Sequence, residues 1–219
     1  MSTRNENLAS MKEGGVVAVL RASSPDALVH VAQAIGRGGV GAVEITMTTP
    51  GALGVIEECA SRLGGELLLG AGSVLDPETA RAAILAGAEY IVTPTLNPDV
   101  IPLCRRYDKV VIPGALTPTE ILTAWECGAD IVKVFPATVV GPRYFKDVKA
   151  PLPQVDLMPT GGVNLDNAGE FIRAGACAIA VGSNLVDKAA VAAGEWHVLT
   201  DTARDYVDAV RNARQEGGG

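Results

Sequence analysis

Ala129-Asp130-Ile131-Val132-Lys133-Val134-Phe135-Pro136 is an apolar, largely β-branched run between Gly128 and a proline. Such a run, bounded by turn residues, predicts a buried strand over 130–134. The residues before it, 118–127, carry helical periodicity and follow Thr117-Pro118, a capping residue ahead of a proline in the first turn. Gly128 then stands where a helix terminator is expected. The same unit recurs along the chain. Further strands are predicted near 16–20, 42–46, 66–70, 89–93, 109–112, 155–159 and 177–181. Helices are predicted near 25–36, 51–63, 77–86, 98–107, 142–149 and 165–174, with a short leading helix over 4–12 and a last one over 201–214. Ser24-Pro25, Asp76-Pro77 and Asn97-Pro98 repeat the cap-and-proline signal, and Gly38-Gly39, Gly64-Gly65, Gly87 and Gly175 repeat the helix end.

Eight strand–helix units form either a closed barrel or an open doubly wound sheet. No G-x-G-x-x-G follows the first strand, so the fingerprint of a dinucleotide-binding sheet is missing. The units are short and even. The expected fold is α/β, a (β/α)8 TIM barrel with a short N-terminal helix, forming one domain over 1–219. Residues 1–12 are expected as a polar leading segment and 215–219 as a disordered tail.

The apolar fraction of 48% supports a large core, and the 25 glycines and 13 prolines are spread along the chain as turns. A net charge of −7 argues against a general nucleic-acid binder. Cys59, Cys104, Cys127 and Cys177 form no C-x-x-C, and His30 and His197 have no ligand spacing, so no metal site is expected. Free thiols fit a reducing cytoplasm. The polar start, Met1 to Lys12, has no secretory apolar core, and no stretch reaches the length of a membrane span.

Lys133 is the feature that asks for an explanation. A lysine is almost never buried alone. Desolvation favours the neutral amine, which is a nucleophile toward carbonyls. The plainer readings are a snorkelling side chain or a structural ion pair. Glu44, within Val43-Glu44-Ile45, poses the same question, and pairing with Arg21 or Lys133 is its plainer reading. Side chains alternate along strands. If Lys133 points into the barrel, so do Ile131 and Phe135. Glu44 shares its side with Ala42 and Thr46, and Arg21 with Val17 and Val19.

Barrel chemistry sits at the C-terminal ends of the strands. Those ends carry Arg21, Glu44 with Thr46, Gly72-Ser73, Thr93-Pro94, Pro113-Gly114, Lys133 with Phe135-Pro136, Thr160-Gly161-Gly162 and Gly182-Ser183. Two glycine-rich ends after the last two strands suit a phosphate, because bare backbone N–H groups can approach an anion there.

These segments resemble the 2-keto-3-deoxy-6-phosphogluconate (KDPG) / 4-hydroxy-2-oxoglutarate (KHG) aldolases, class I pyruvate aldolases built on a (β/α)8 barrel. The resemblance rests on Val17-Ala18-Val19-Leu20-Arg21, Val43-Glu44-Ile45-Thr46, Gly70-Ala71-Gly72-Ser73-Val74, Ile91-Val92-Thr93-Pro94, Lys133-Val134-Phe135-Pro136-Ala137, Pro159-Thr160-Gly161-Gly162-Val163 and Val181-Gly182-Ser183, in the family's order. It implies that Lys133 is the Schiff-base lysine and Glu44 the acid/base. It implies that Arg21 and Ser73 bind the pyruvate carboxylate region and that Pro94 and Phe135 wall the pocket. Thr46 lines the site, and Gly161, Gly162, Gly182 and Ser183 hold the phosphate. Thr160 resembles the KDPG-cleaving form, whereas relatives acting on the galactonate epimer tend to carry an apolar residue there. Thr48 departs from the family's common arginine and Ser73 from its common threonine. The carboxylate clamp then rests on Arg21 or on backbone amides.

The function implied is cleavage of KDPG to pyruvate and glyceraldehyde 3-phosphate by a cytoplasmic homotrimer without cofactor or metal. The expected partners are a 2-oxo acid and a phosphorylated aldehyde, with no nucleic acid and no membrane. A related aldolase acting on 4-hydroxy-2-oxoglutarate or the galactonate epimer is the nearest alternative. A phosphate-sugar isomerase, or a non-catalytic metabolite-binding or scaffold barrel, would have no need of the lysine.

Overall fold

A computed structural model describes residues 3–21 and 25–217, with only the backbone given for Pro25. The Ser24 cap expected ahead of the second helix, and residues 218–219 of the expected tail, lie outside the described residues. The elements run α1 (Arg4–Gly14), β1 (Val16–Leu20), α2 (Pro25–Arg37), β2 (Ala42–Thr46), α3 (Ala52–Leu63), β3 (Leu68–Gly72) and α4 (Pro77–Leu85). Next come β4 (Tyr90–Val92), α5 (Val100–Arg106), β5 (Val110–Ile112), β6 (Gly114–Ala115), α6 (Pro118–Glu126) and β7 (Val132–Val134). The chain continues through α7 (Gly141–Lys149), β8 (Leu157–Pro159), α8 (Leu165–Arg173), β9 (Ile179–Val181), α9 (Lys188–Ala193) and α10 (Trp196–Gly217).

All paired strands are parallel, in the orders β5-β4-β3-β2-β1-β9 and β6-β7-β8. The two sheets are two arcs of one barrel. Proline has no N–H to give a ladder, and Pro113 divides a single staved position into β5 and β6. The Pro113 carbonyl still accepts from Lys133 N at 2.9 Å. On the other side the bridges Leu157↔Ala176 and Thr160↔Ala180 join β8 to β9. The fold is the expected TIM barrel, with β5 and β6 together as its fifth stave.

Alternation along the strands separates two cores. Val17, Ala42, Tyr90, Val92, Ile112, Ile131 and Met158 point inward and pack together, while Val16, Ala18, Val43, Ile45, Val132 and Val134 pack outward against the helices. Ile131 and Ala42 therefore place Lys133 and Glu44 on the inward side, as their parity predicts. Helix α1 plugs the N-terminal end, sending Met11 and Leu8 into the inner cluster. Arg4 pairs there with the buried Asp130 at 3.1 Å, and Lys12 with Asp156 at 2.6 Å.

Helix starts follow their caps. Asp76 accepts from Thr79 N at 2.7 Å, and Thr117 and Glu120 form a reciprocal capping box ahead of Pro118. Asn97-Pro98 behaves differently. Asn97 Oδ1 accepts from Asp99 N at 3.0 Å, an Asx turn that delays α5 to Val100. The third strand also differs, running over Leu68–Gly72 rather than 66–70. Its glycines look like strand breakers in sequence, yet they sit inside the ladder opposite Glu44 and Thr46. The last helix starts at Trp196, not 201, because the side chain of Trp196 packs on the core and stacks with His30 at 5.4 Å. It continues through Gly217, so residues 215–217 of the expected disordered tail are helical.

Candidate active site

The sequence-derived residues converge at one end of the barrel. Arg21 follows β1, Thr46 ends β2, Ser73 follows β3 and Pro94 lies just beyond β4. Lys133 is the central residue of β7 and Phe135 follows it. Thr160-Gly161-Gly162 follow β8, and Gly182-Ser183 follow β9. Parallel strands put all of these at their C-terminal ends.

Lys133 is 5% exposed and Glu44 1%. Lys133 Nζ lies 5.0 Å from the centroid of the Phe135 ring, which is itself 38% exposed and forms part of the mouth. Burial pushes the Lys133 amine below the usual lysine range; the Arg21 cation lowers it further, and the Glu44 charge acts the other way. Burial pushes Glu44 above the usual carboxylate range, against the opposing pull of Lys133 and Arg21. Both shifts favour the uncharged forms. Glu44 Oε2 has no hydrogen-bond partner, which a structural ion pair would have supplied.

Glycine makes room for this carboxylate. A Cβ on Gly72 would fall 1.6 Å from Glu44 Oε1 and 2.3 Å from its Cδ. Glu44 thus leans across β3 in space that only a glycine leaves. We expect Gly72→Ala to displace the carboxylate and to slow turnover about 100-fold, the usual cost of misplacing a reacting group by about 1 Å. Borohydride trapping of pyruvate should persist in that variant, since Lys133 is untouched. An unchanged rate would show that the position of Glu44 is immaterial.

The hydroxyls differ in their pairing. Thr46 Oγ1 lies 2.9 Å from Thr48 Oγ1, so Thr48 buttresses the site from the position where an arginine is common in the family it resembles. Thr160 is 8% exposed and its Oγ1 has no partner in the protein. Ser73 sits at φ 58, a left-handed conformation in which a β-branched residue is more strained than serine.

Gly161 and Gly162 both have positive φ, 89 and 76, and a Cβ on Gly162 would strike Thr138 at 2.2 Å. The loop is therefore built for glycine. Asn184 Nδ2 donates to Val163 O at 2.7 Å and Asn167 Nδ2 to Gly162 O at 2.9 Å. The Asn184 bond ties the two glycine-rich ends together and the Asn167 bond fastens the first of them to the start of α8, and the sequence reading missed both asparagines. Their signal is faint in sequence, because polar residues near glycine-rich turns read as ordinary loops or caps. Thr93, which the sequence places at a strand end, donates its hydroxyl to Thr95 O at 2.5 Å and accepts from Gly114 N at 3.2 Å, joining the ends of β4 and β6. Among the described residues no three His, Cys, Asp or Glu side chains gather as a metal cluster, and no helix is long and apolar enough to cross a membrane.

A parallel barrel with a desolvated amine and carboxylate at its C-terminal mouth is the arrangement of an enzyme site suited to carbonyl chemistry. The KDPG and KHG aldolase family profile matches residues 8–202. The chain is 39% identical over 172 residues to the 2-dehydro-3-deoxy-6-phosphogalactonate aldolase of Escherichia coli strain K12, covering 78% of this chain and 83% of the relative. It is 34% identical over 200 residues to the 2-dehydro-3-deoxy-phosphogluconate aldolase of Treponema pallidum, covering 89% and 93%. It superposes with TM-score 0.84 and 25% identity on the KDPG aldolase of Legionella pneumophila, solved with pyruvate captured at low pH as a covalent carbinolamine intermediate, covering 90% and 96%. The chain belongs to the KDPG and KHG aldolase family, and it is an aldolase, a carbon–carbon lyase.

Proposed function

We propose that this aldolase works by the class I, metal-independent route, with Lys133 as the Schiff-base nucleophile, and that its substrate is KDPG. The observation that carries the reading is the lone desolvated amine of Lys133 facing the Glu44 carboxylate at the barrel mouth. The carbinolamine reported for the Legionella relative supports it.

The neutral amine attacks the C2 ketone of the substrate. Loss of water gives a protonated imine, which draws electrons from the adjoining carbons. Glu44, directly or through water, accepts the proton of the C4 hydroxyl as the C3–C4 bond breaks. Glyceraldehyde 3-phosphate leaves, and the remaining enamine of pyruvate takes a proton at C3 with the help of Glu44. Water then releases pyruvate. Arg21 and Ser73 face the substrate carboxylate and Thr46 lines the same wall, with Pro94 and Phe135 enclosing the carbon chain. The backbone N–H groups of Gly161, Gly162 and Gly182, with the Ser183 hydroxyl, hold the phosphate.

Preference for the gluconate epimer rests on Thr160, whose buried hydroxyl is free to meet a substrate hydroxyl. A site with an unpaired hydroxyl discriminates against the substrate that cannot bond it. The curated relatives include aldolases named for both epimers, so the test is a kcat/KM measurement on each, in the presence of a chelator. A higher value for the gluconate epimer, unaffected by chelation, is expected. A higher value for the galactonate epimer would reverse the substrate assignment, and loss of activity to the chelator would reverse the metal-independent one. A cytoplasmic homotrimer forming one barrel domain is part of the same proposal.

A further inference from the structure

Tyr90 is among the largest fully buried side chains of the described residues, and its hydroxyl has no partner within the protein. A buried hydroxyl carries a desolvation cost that a hydrogen bond normally offsets. Phenylalanine would fill the same volume without it, so the oxygen calls for a role.

Its placement supplies one. Glu44 on β2 is in register with Gly70 on β3, and Gly70 with Tyr90 on β4. The three residues lie side by side across one level of the barrel wall. A Cβ on Gly70 would meet Tyr90 Cζ at 2.3 Å and Cε2 at 2.3 Å. The hydroxyl-bearing end of the ring therefore lies over Gly70, reaching toward β2. One step along the same strand, Gly72 accommodates the Glu44 carboxylate from the other side. Two consecutive inward glycines thus let a phenol and a carboxylate lean toward each other across β3. Each ends in a buried oxygen without a partner, Tyr90 Oη and Glu44 Oε2.

We propose that Tyr90 is a positioning residue for Glu44, its phenol donating to Oε2 through one bridging water. The inference rests on the reading in which Glu44 moves the proton. Burial, with the Glu44 charge added, holds the phenol well above its usual range, so it stays protonated and remains a donor wherever the enzyme works. The charged and titratable groups facing Glu44 are Arg21 beyond β1, Tyr90 from β4 and Lys133 from β7; β3 presents only glycines there. A bond donated to the ionised carboxylate favours that form. Removing it raises the pH at which Glu44 becomes an effective base.

The experiment is Tyr90→Phe, read by borohydride trapping with pyruvate and by exchange of the pyruvate C3 protons in deuterated water across pH. We expect trapping equal to that of the unaltered chain, exchange about tenfold slower, as for loss of one bond to a charged group, and an acid limb moved to higher pH. Equal exchange with an unmoved limb would overturn the proposal and leave the phenol a packing element. If the unaltered chain itself fails to trap pyruvate, the Schiff-base reading fails and the proposal falls with it. Should Tyr90→Phe not fold, a crystal structure of the unaltered chain that resolves buried waters decides. A water within hydrogen-bonding distance of both oxygens supports the proposal, and none there overturns it.

Discussion

Lys133→Ala is expected to reduce aldol cleavage by at least about 10⁴-fold, which corresponds to roughly 5 kcal/mol of lost transition-state stabilisation, while leaving the barrel folded. The amine is asked to supply the whole electron sink, and no other lysine stands inward at the mouth among the described residues. The fold should survive because the side chain gives the core little: it is a buried amine whose loss of hydration opposes folding at neutral pH. Its sign follows from the shift. With the folded value lowered, the unfolded chain takes up the proton first as pH falls below the ordinary lysine range, so the buried amine detracts from stability there. Thermal unfolding of the variant should stay within about 5 °C of the unaltered chain. Substantial remaining turnover would remove Lys133 as nucleophile. The same shift gives a pH prediction. The Arg21 cation helps to lower the amine, so Arg21→Met should move the rise of pyruvate trapping to higher pH. An unmoved rise would separate Arg21 from the electrostatics of the amine.

Glu44→Gln is expected to slow turnover by roughly 10²–10⁴, the range for loss of a general acid–base group, without preventing imine formation. Glutamine keeps the shape that fits against Gly72 but cannot carry a proton. The charge change also has a defined sign. The Glu44 carboxylate holds the Lys133 amine up against the lowering effect of burial. Removing that charge lowers the amine further, so trapping at neutral pH should be as fast as in the unaltered chain or faster. Near-normal cleavage would remove Glu44 from the mechanism. Slow cleavage accompanied by slow trapping would instead point to a structural role.

The two charged residues were legible because each interrupts a β-branched run, and alternation correctly set both on the inward side with Ile131 and Ala42. Glycine-rich strand ends likewise announced the tight loops after β8 and β9. What stayed hidden shares one physical cause. Gly70 and Gly72 act through the volume they leave, and that volume has meaning only once the neighbouring strands bring Tyr90 and Glu44 against it. A strand reading that stops at Gly70 therefore misses both the length of β3 and its purpose. Tyr90 itself reads as one more apolar strand residue. Asn184 acts across a gap between two loops that local sequence does not join. Asn97-Pro98 carries a helix-start signal, but its side chain is used by a turn, and α5 begins later.

The central claim, that the desolvated amine of Lys133 is the covalent nucleophile of this aldolase, is tested most directly by reducing the protein with borohydride in the presence of pyruvate and mapping the modified peptide by mass spectrometry. The account predicts a single reduced pyruvate adduct on Lys133, absent without pyruvate. A folded protein that carries no adduct, or carries it on another lysine, would contradict it.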